Sequence, residues 1–117
     1  MTDRHPRWLY EAGQEPDPRY TLANERTFLA WVRTALAMLA GGVALSALGL
    51  PENDTARGVL AVLLVLLGGL LTVLALVRWT RVEKAMRVGQ PLPAFSLGYL
   101  LTGAVVVGAV LLAATLW

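Results

Sequence analysis

The sequence predicts an all-α membrane protein with three transmembrane helices, and three observations support this. Hydrophobic residues make up 56% of the 117 residues and charged residues only 15%, against about 25% in an ordinary soluble domain. The charged residues leave long gaps at 34–51, 58–77 and 88–117, each near or above the roughly 20 helical residues that cross a bilayer. Segments such as 59–67 are apolar all round, whereas a helix of a soluble bundle has one polar face.

The chain begins with a polar segment and then enters the membrane domain. Residues 1–16 have no hydrophobic period and contain proline and glycine, so we expect a mobile cytoplasmic tail. The membrane domain is predicted over 17–117. Asp17 followed by Pro18 is typical of a helix start, because Asp caps helices and Pro suits the first helical position. This helix leads into the first span, predicted at about 28–50.

A short polar connector, 51–57, makes the first two spans an antiparallel pair. The second span is predicted at about 58–79, and its helix continues beyond the membrane to a stop at Gly89. The third span is predicted at about 96–117. Small residues at helix-packing intervals, such as Gly42 and Gly68, indicate helix–helix contacts, either within the chain or between copies.

The distribution of Lys and Arg predicts the orientation in the membrane. Arg57 is the one basic residue in the first loop, whereas the N-terminal side and the second loop together hold nine of the ten. Because short cytoplasmic loops are enriched in Lys and Arg, the N-terminus is predicted to be cytoplasmic and the C-terminus extracytoplasmic. We therefore expect a multi-pass protein of the cell (inner) membrane.

Several function classes lack their usual residues. The chain has no cysteine and one histidine, His5 in the tail, so no nucleophilic triad or metal-ligand cluster can be assembled from its residue types. A net charge of +2 is too small to indicate nucleic-acid binding. The sequence therefore predicts neither an enzyme nor a protein that carries a metal or cofactor.

Two arginines at the start of the first span are candidates for anion binding or pore lining. Arg26 and Arg33 are seven residues apart, so they share one helix face. If hydrocarbon begins near residue 28, Arg33 lies about 7–8 Å inside. Asn24 and Glu25 are candidates to orient these arginines or to pair between subunits. Three interpretations stay open for Arg33: snorkelling to headgroups, a structural intersubunit salt bridge, or a shared cationic vestibule.

The end of the second span carries a basic face that recurs about every third residue. It is predicted to meet lipid or a partner protein and consists of Arg78, Arg81, Lys84 and Arg87, with Glu83 able to pair with Arg87 at i+4. One interpretation is a collar near anionic headgroups. The other is a specific anion or partner site.

Residues 22–34 read Leu-Ala-Asn-Glu-Arg-Thr-Phe-Leu-Ala-Trp-Val-Arg-Thr. This segment resembles the signature of the YidH-like family of bacterial inner-membrane proteins, built on a domain of unknown function, and the resemblance covers about 17–117. The same domain forms the small membrane subunit of the vacuolar transporter chaperone complex, which makes polyphosphate and moves it across a membrane. In those relatives, basic residues of the first span face a central pore, which implies the same role for Arg26 and Arg33.

Two departures from the eukaryotic relatives limit what the resemblance implies. The third span, 96–117, has no basic residue, and the chain has no cytosolic polymerase domain. We therefore expect a homo-oligomer with a cationic cytoplasmic vestibule that conducts or holds an anion of the phosphate or polyphosphate class. The alternative is a non-conducting scaffold or accessory subunit that binds a partner protein or anionic lipid.

Overall fold

The protein was analysed as a computed structural model, which describes residues 4–116. It consists of four helices in the order α1 (Arg7–Tyr10), α2 (Pro18–Leu48), α3 (Asp54–Val88) and α4 (Ser96–Leu116). Within the described residues, three helices are long and apolar enough to cross a membrane, namely α2, α3 and α4. The predicted all-α architecture with three membrane-spanning helices is therefore confirmed at the level of helix length and composition. Trp117, the last residue of the predicted third span, lies outside the described residues.

Local sequence signals account for the helix ends. The Asp17 side chain accepts a hydrogen bond from the backbone N–H of Arg19 at 2.9 Å and Pro18 is the first helical residue, as predicted. The Arg19 guanidinium, which also bonds to this carboxylate, holds the pKa of Asp17 below its usual value. The contribution of the ionised cap to stability is therefore complete above the ordinary carboxyl pKa and is lost as the pH falls through the lowered pKa. Gly89 ends α3 at a φ of 72°, which confirms the predicted stop.

The turn between α2 and α3 is shorter than the predicted connector. Helix α3 begins at Asp54, because the side chain of Asn53 accepts a hydrogen bond from the N–H of Ala56 at 3.0 Å. Arg57 therefore lies in the first turn of α3, where its guanidinium donates to the carbonyl oxygens of Gly49 at 3.3 Å and Pro51 at 3.1 Å. These bonds satisfy carbonyl groups at the end of α2 and tie the two helices together.

Helices α2 and α3 form a close antiparallel pair because glycines lie at their crossing. A β-carbon at Gly68 would come within 2.9 Å of the Ala35 carbonyl oxygen, and one at Gly42 within 2.8 Å of the Ala61 carbonyl oxygen. These two glycines thus make the in-chain helix contacts that the small-residue spacing left open. The start of α4 joins the pair through a small apolar core that includes Ala35, Leu71, Ala75 and Leu97.

The end of the bundle where α2 begins, α3 ends and α4 begins is called the basic end below. It includes six of the ten Lys and Arg residues, at positions 19, 26, 78, 81, 84 and 87. Helix α3 has 35 residues, about 52 Å, which exceeds the roughly 30 Å of a bilayer core. Helix α3 is therefore longer than the bilayer core, as it must be if its last turns continue beyond the membrane.

Candidate anion-binding site

A buried polar cluster fixes the rotation of α2 against α3 at the basic end. The amide Nδ2 of Asn24 donates to the Trp79 carbonyl oxygen at 3.0 Å and to Oε1 of Glu83 at 3.5 Å. The Thr21 hydroxyl donates to Oε2 of Glu83 at 3.0 Å. Asn24 and Glu83 are both buried, and buried polar groups are costly to leave unpaired. These bonds therefore hold α2 in one rotational setting.

That setting turns Arg26 and Arg33 away from the rest of the chain. Asn24 and Gly42 mark the side of α2 that packs on α3. At about 100° per residue, Arg26 and Arg33 lie roughly 180–200° around the helix axis from that side. Both arginines are exposed in the single chain. Within residues 4–116, neither of them makes an ion pair. Nothing in the described part of the chain neutralises these two guanidinium groups.

The register of the helix pair shows how far Arg33 lies from the basic end. Three pairs of contacting residues define the register: Asn24 with Trp79, Ala35 with Gly68, and Gly42 with Ala61. By this register Arg33 is level with Leu70, nine residues before Trp79, a rise of about 13 Å. If Trp79 marks the interface, Arg33 lies deeper than the 7–8 Å expected from residue 28.

The face of α2 that carries the two arginines is otherwise made of alanine. We call it the outward stripe of α2, and its members alternate at spacings of four and three: Arg26, Ala30, Arg33, Ala37, Ala40, Ala44 and Ala47. All seven are exposed in the single chain. Small residues at this spacing allow membrane helices to approach closely. The outward stripe therefore has the composition of a helix-packing surface, interrupted by two cations near one end.

The other predicted orienting residue, Glu25, lies next to the buried cluster without joining it. Its side chain is exposed, and among the described residues it makes no ion pair. Asn24 and Glu25 thus face different surroundings, since Asn24 contacts α3 within the chain and Glu25 is directed outward. Asn24 instead contacts Glu83, which was predicted from the sequence to pair with Arg87.

The predicted basic face of α3 is divided in the structure. Arg81 and Lys84 are exposed and Arg78 is partly buried, so these three are available at the surface. Arg87 is 6% exposed and does not belong to an open lipid-facing or partner-facing surface. The predicted pairing of Glu83 with Arg87 is wrong, because Glu83 turns toward Thr21 and Asn24 while Arg87 is held by the N-terminal segment.

Residues 7–15 fold back onto the end of α3 and are called the N-terminal strap. The Arg87 guanidinium donates to the carbonyl oxygens of Ala12, at 3.0 Å, and Tyr10, and to the Glu15 carboxylate at 3.3 Å. The Gln14 N–H donates to the Arg87 carbonyl oxygen at 2.9 Å. The side chain of Leu9 is fully buried. The sequence predicted a mobile tail and none of these contacts, although Leu9 in a polar segment was a signal of burial.

Gly13 is the position where the strap needs glycine. Its φ is +53°, and a β-carbon there would lie 1.9 Å from the Arg87 carbonyl oxygen. Any other residue would be strained in the left-handed region and would collide with the α3 backbone. The strap also depends on pH, because the Arg4 guanidinium, hydrogen-bonded to Glu15, holds the pKa of Glu15 below its ordinary 4.5. Its ionic contacts are therefore complete above that value and are lost as the pH falls through the lowered pKa.

Replacing Arg87 with alanine is expected to release the N-terminal strap from α3. The change removes a buried cation that holds two strap carbonyl groups and one carboxylate, and charge-assisted hydrogen bonds of this kind stabilise by about 1.5–3 kcal/mol each. Hydrogen exchange at residues 9–15 is the measurement. We expect exchange there to rise at least about tenfold, as a loss of 1.4 kcal/mol implies. Arg81→Ala is the control, and equal exchange in both variants would contradict the strap.

Comparison with known proteins agrees with this architecture. Residues 19–85 match the family model described as Domain of unknown function (DUF202). An uncharacterized protein of Mycobacterium tuberculosis is 53% identical over 102 residues, which cover 85% of this chain and 83% of the relative. The inner membrane protein YidH of Escherichia coli K12 is 53% identical over 83 residues, or 69% of this chain and 71% of the relative. No solved structure matches the chain.

These matches extend over the features described above. The matched region of the family model includes the buried polar cluster, Arg26, Arg33 and both members of the antiparallel helix pair. The names of the E. coli relatives place them in the inner membrane, and this chain has three helices able to cross a membrane. The chain is a multi-pass cell-membrane protein that belongs to the YidH-like DUF202 family.

Proposed function

We propose that this protein forms homo-oligomers in which the α2 helices surround a cationic cytoplasmic vestibule that conducts or holds an anion of the phosphate or polyphosphate class. The observation that supports this most is the direction of Arg26 and Arg33. Both lie on the face of α2 opposite α3, exposed and without an ion pair among the described residues. A second copy of the chain would supply the surroundings that the single chain lacks.

The energetics of a membrane-embedded arginine favour this arrangement. A guanidinium near the bilayer centre costs about 2.5–3.5 kcal/mol on insertion scales, and less near the interface. If Trp79 marks the interface, Arg33 lies about 13 Å inside it along the helix, where headgroups would not solvate it fully. Contact with other protomers, water and a bound anion would offset the cost. Guanidinium also forms paired hydrogen bonds to phosphate oxygens.

The rest of the outward stripe suggests how such a vestibule would narrow. Beyond Arg33 the stripe is alanine only, at positions 37, 40, 44 and 47. A passage lined by small apolar side chains is closed to ions when it loses its water. The vestibule would thus attract and hold anions at the arginines, while conduction would require the α2 helices to move apart. No catalytic step is part of this proposal.

The orientation that we propose rests on the positions of the basic residues. The structure places the helix ends so that the N-terminal side and the second loop lie together at the basic end, and Arg57 lies at the other end. Nine basic residues against one favour a cytoplasmic basic end. The vestibule would then open to the cytoplasm, where phosphate compounds are available. The C-terminus would be extracytoplasmic.

The proposal is tested by measuring the flux and binding of phosphate and short-chain polyphosphate in liposomes that contain the purified protein. Wild-type protein is expected to give flux, or saturable binding of the same anions if the passage stays closed. Arg33→Gln is expected to reduce either signal at least about tenfold, because it removes a charge-assisted contact of about 1.5–3 kcal/mol. Arg33→Lys should retain part of it. Lys84→Gln, at an exposed position on α3, is the matched control.

The outcomes separate the proposal from its alternative. A wild-type protein with neither flux nor saturable anion binding would contradict the vestibule and leave the non-conducting accessory role. Equal losses in Arg33→Gln and Lys84→Gln would show a general effect of charge rather than a site.

A further inference from the structure

A cleft at the basic end lies apart from the vestibule arginines, between α3, the connector 89–95 and the start of α4. Its volume is about 260 Å³. Arg78 and Arg81 line its mouth together with Ser96, the first residue of α4. Leu74, Leu97 and Leu100 line its apolar part. We propose that this interfacial cleft binds the phosphate group of an anionic phospholipid, with one acyl chain continuing along α4.

The cationic side of the cleft has donors without partners. The Nε atom of Arg78 is buried and has no hydrogen-bond partner in the described part of the chain. Neither Arg78 nor Arg81 makes an ion pair there. An unpaired buried donor is destabilising, and two guanidinium groups one turn apart match the several oxygens of a phosphate group. The N-terminus of α4 adds backbone N–H groups and the positive end of the helix dipole.

The apolar side of the cleft indicates a lipid rather than a free anion. Leu100, which lines the cleft, also lines an apolar groove of about 630 Å³ between α2, α3 and α4. On α4 this groove extends from Leu100 to Leu111, about 16 Å along the helix. That length equals roughly half of a 30 Å hydrocarbon core, which is the reach of an acyl chain in one leaflet. Free phosphate would make no use of the groove.

The other basic residues at the end of α3, Lys84 and Arg87, do not line the cleft, which sets it apart from a diffuse basic collar. Arg87 is held by the N-terminal strap. The Nζ atom of Lys84 lies 5.7 Å from the centre of the Trp8 ring, a cation–π contact, and Lys84 does not line the cleft. The cleft is thus a site of two arginines on α3 and does not depend on Arg26 or Arg33. The inference therefore stands or falls separately from the proposed function.

Native mass spectrometry of the full-length protein in a nonionic detergent tests the inference. The probes are dioleoyl phosphatidylglycerol, dioleoyl phosphatidylcholine, and glycerol 1-phosphate as a source of phosphate without acyl chains. We expect one phosphatidylglycerol bound per protomer, with phosphatidylcholine at least about tenfold weaker. Arg81→Gln, at an exposed position that folding tolerates, should weaken phosphatidylglycerol binding about tenfold, and the Arg78→Gln/Arg81→Gln double variant more.

The controls give each alternative a distinct result. Lys84→Gln and Arg33→Gln are expected to leave phosphatidylglycerol binding within about twofold of wild type, so a failed vestibule would not affect this test. Equal losses in Arg81→Gln and Lys84→Gln would overturn the cleft in favour of a diffuse basic collar. Competition by glycerol 1-phosphate at the same concentration as the lipid would overturn the lipid assignment and identify a free-phosphate site. No loss in the double variant would overturn the site itself.

Discussion

Replacing Gly68 with alanine is expected to destabilise the α2–α3 pair by about 1–3 kcal/mol, the usual cost of overpacking a close contact. The new β-carbon would lie 2.9 Å from the Ala35 carbonyl oxygen and 3.1 Å from Cγ of Leu39. A backbone carbonyl cannot rotate out of the way as the end of a side chain can. The helices would have to separate, and lipid offers no hydrophobic drive to restore their contact.

Gly69 provides a matched control for this change. It is the next residue on the same helix, and nothing lies within 4 Å of its β-carbon position. Both substitutions gain the same helix propensity, about 1 kcal/mol, so their difference isolates the collision. Thermal unfolding in detergent micelles, followed by near-UV circular dichroism, is the measurement. A Gly68→Ala variant as stable as Gly69→Ala would contradict the close packing of α2 on α3.

Local and periodic signals were enough to predict most of the architecture. The charge-free gaps gave three spanning helices, and Asp17 with Pro18 and Gly89 marked helix ends that the structure confirms. Such features could be predicted because they depend on residues within one or two helical turns. The start of α3 was placed too late, because Asn53 as a cap was overlooked.

The contacts between distant parts of the chain could not be predicted in the same way. Arg87 and Ala12 are 75 residues apart in sequence, and Asn24 and Glu83 are 59 apart. The spacing of Glu83 and Arg87 favoured a pair within one helix. Once α2 and the strap pack on α3, each of the two side chains finds a better partner. The packing of the whole chain decides between these partners and a pair within α3, and local propensity contains no information on it.

The candidate site was predicted in part. The spacing of Arg26 and Arg33 placed both on one helix face, and this follows from helix geometry alone. Which way that face points was not predictable, because it depends on the contacts of Asn24 on the opposite side. The register also offers a second reference point for the depth of Arg33. Sequence alone gives the distance from the first apolar residue, whereas the register with α3 relates Arg33 to Trp79.

Single cysteines placed on α2 are expected to join neighbouring copies of the chain. The protein has no native cysteine, so each variant carries one reactive group. Ala40 and Ala44 lie on the outward stripe two and three turns beyond Arg33, and both are exposed in the single chain. If the outward stripes of several copies face one another, the Cα atoms of equivalent residues come within the roughly 7 Å that a disulfide requires.

Disulfide formation in native membranes under mild oxidation therefore tests the central claim that Arg33 faces other copies rather than lipid. Leu66→Cys and Val73→Cys are the controls, since these α3 residues are 64% and 59% exposed and lie outside the stripe. We expect Ala40→Cys and Ala44→Cys to form covalent dimers and the two α3 variants to remain monomers. Dimers of the α3 variants, with monomers alone for both stripe positions, would show that the stripe faces lipid and would contradict the vestibule.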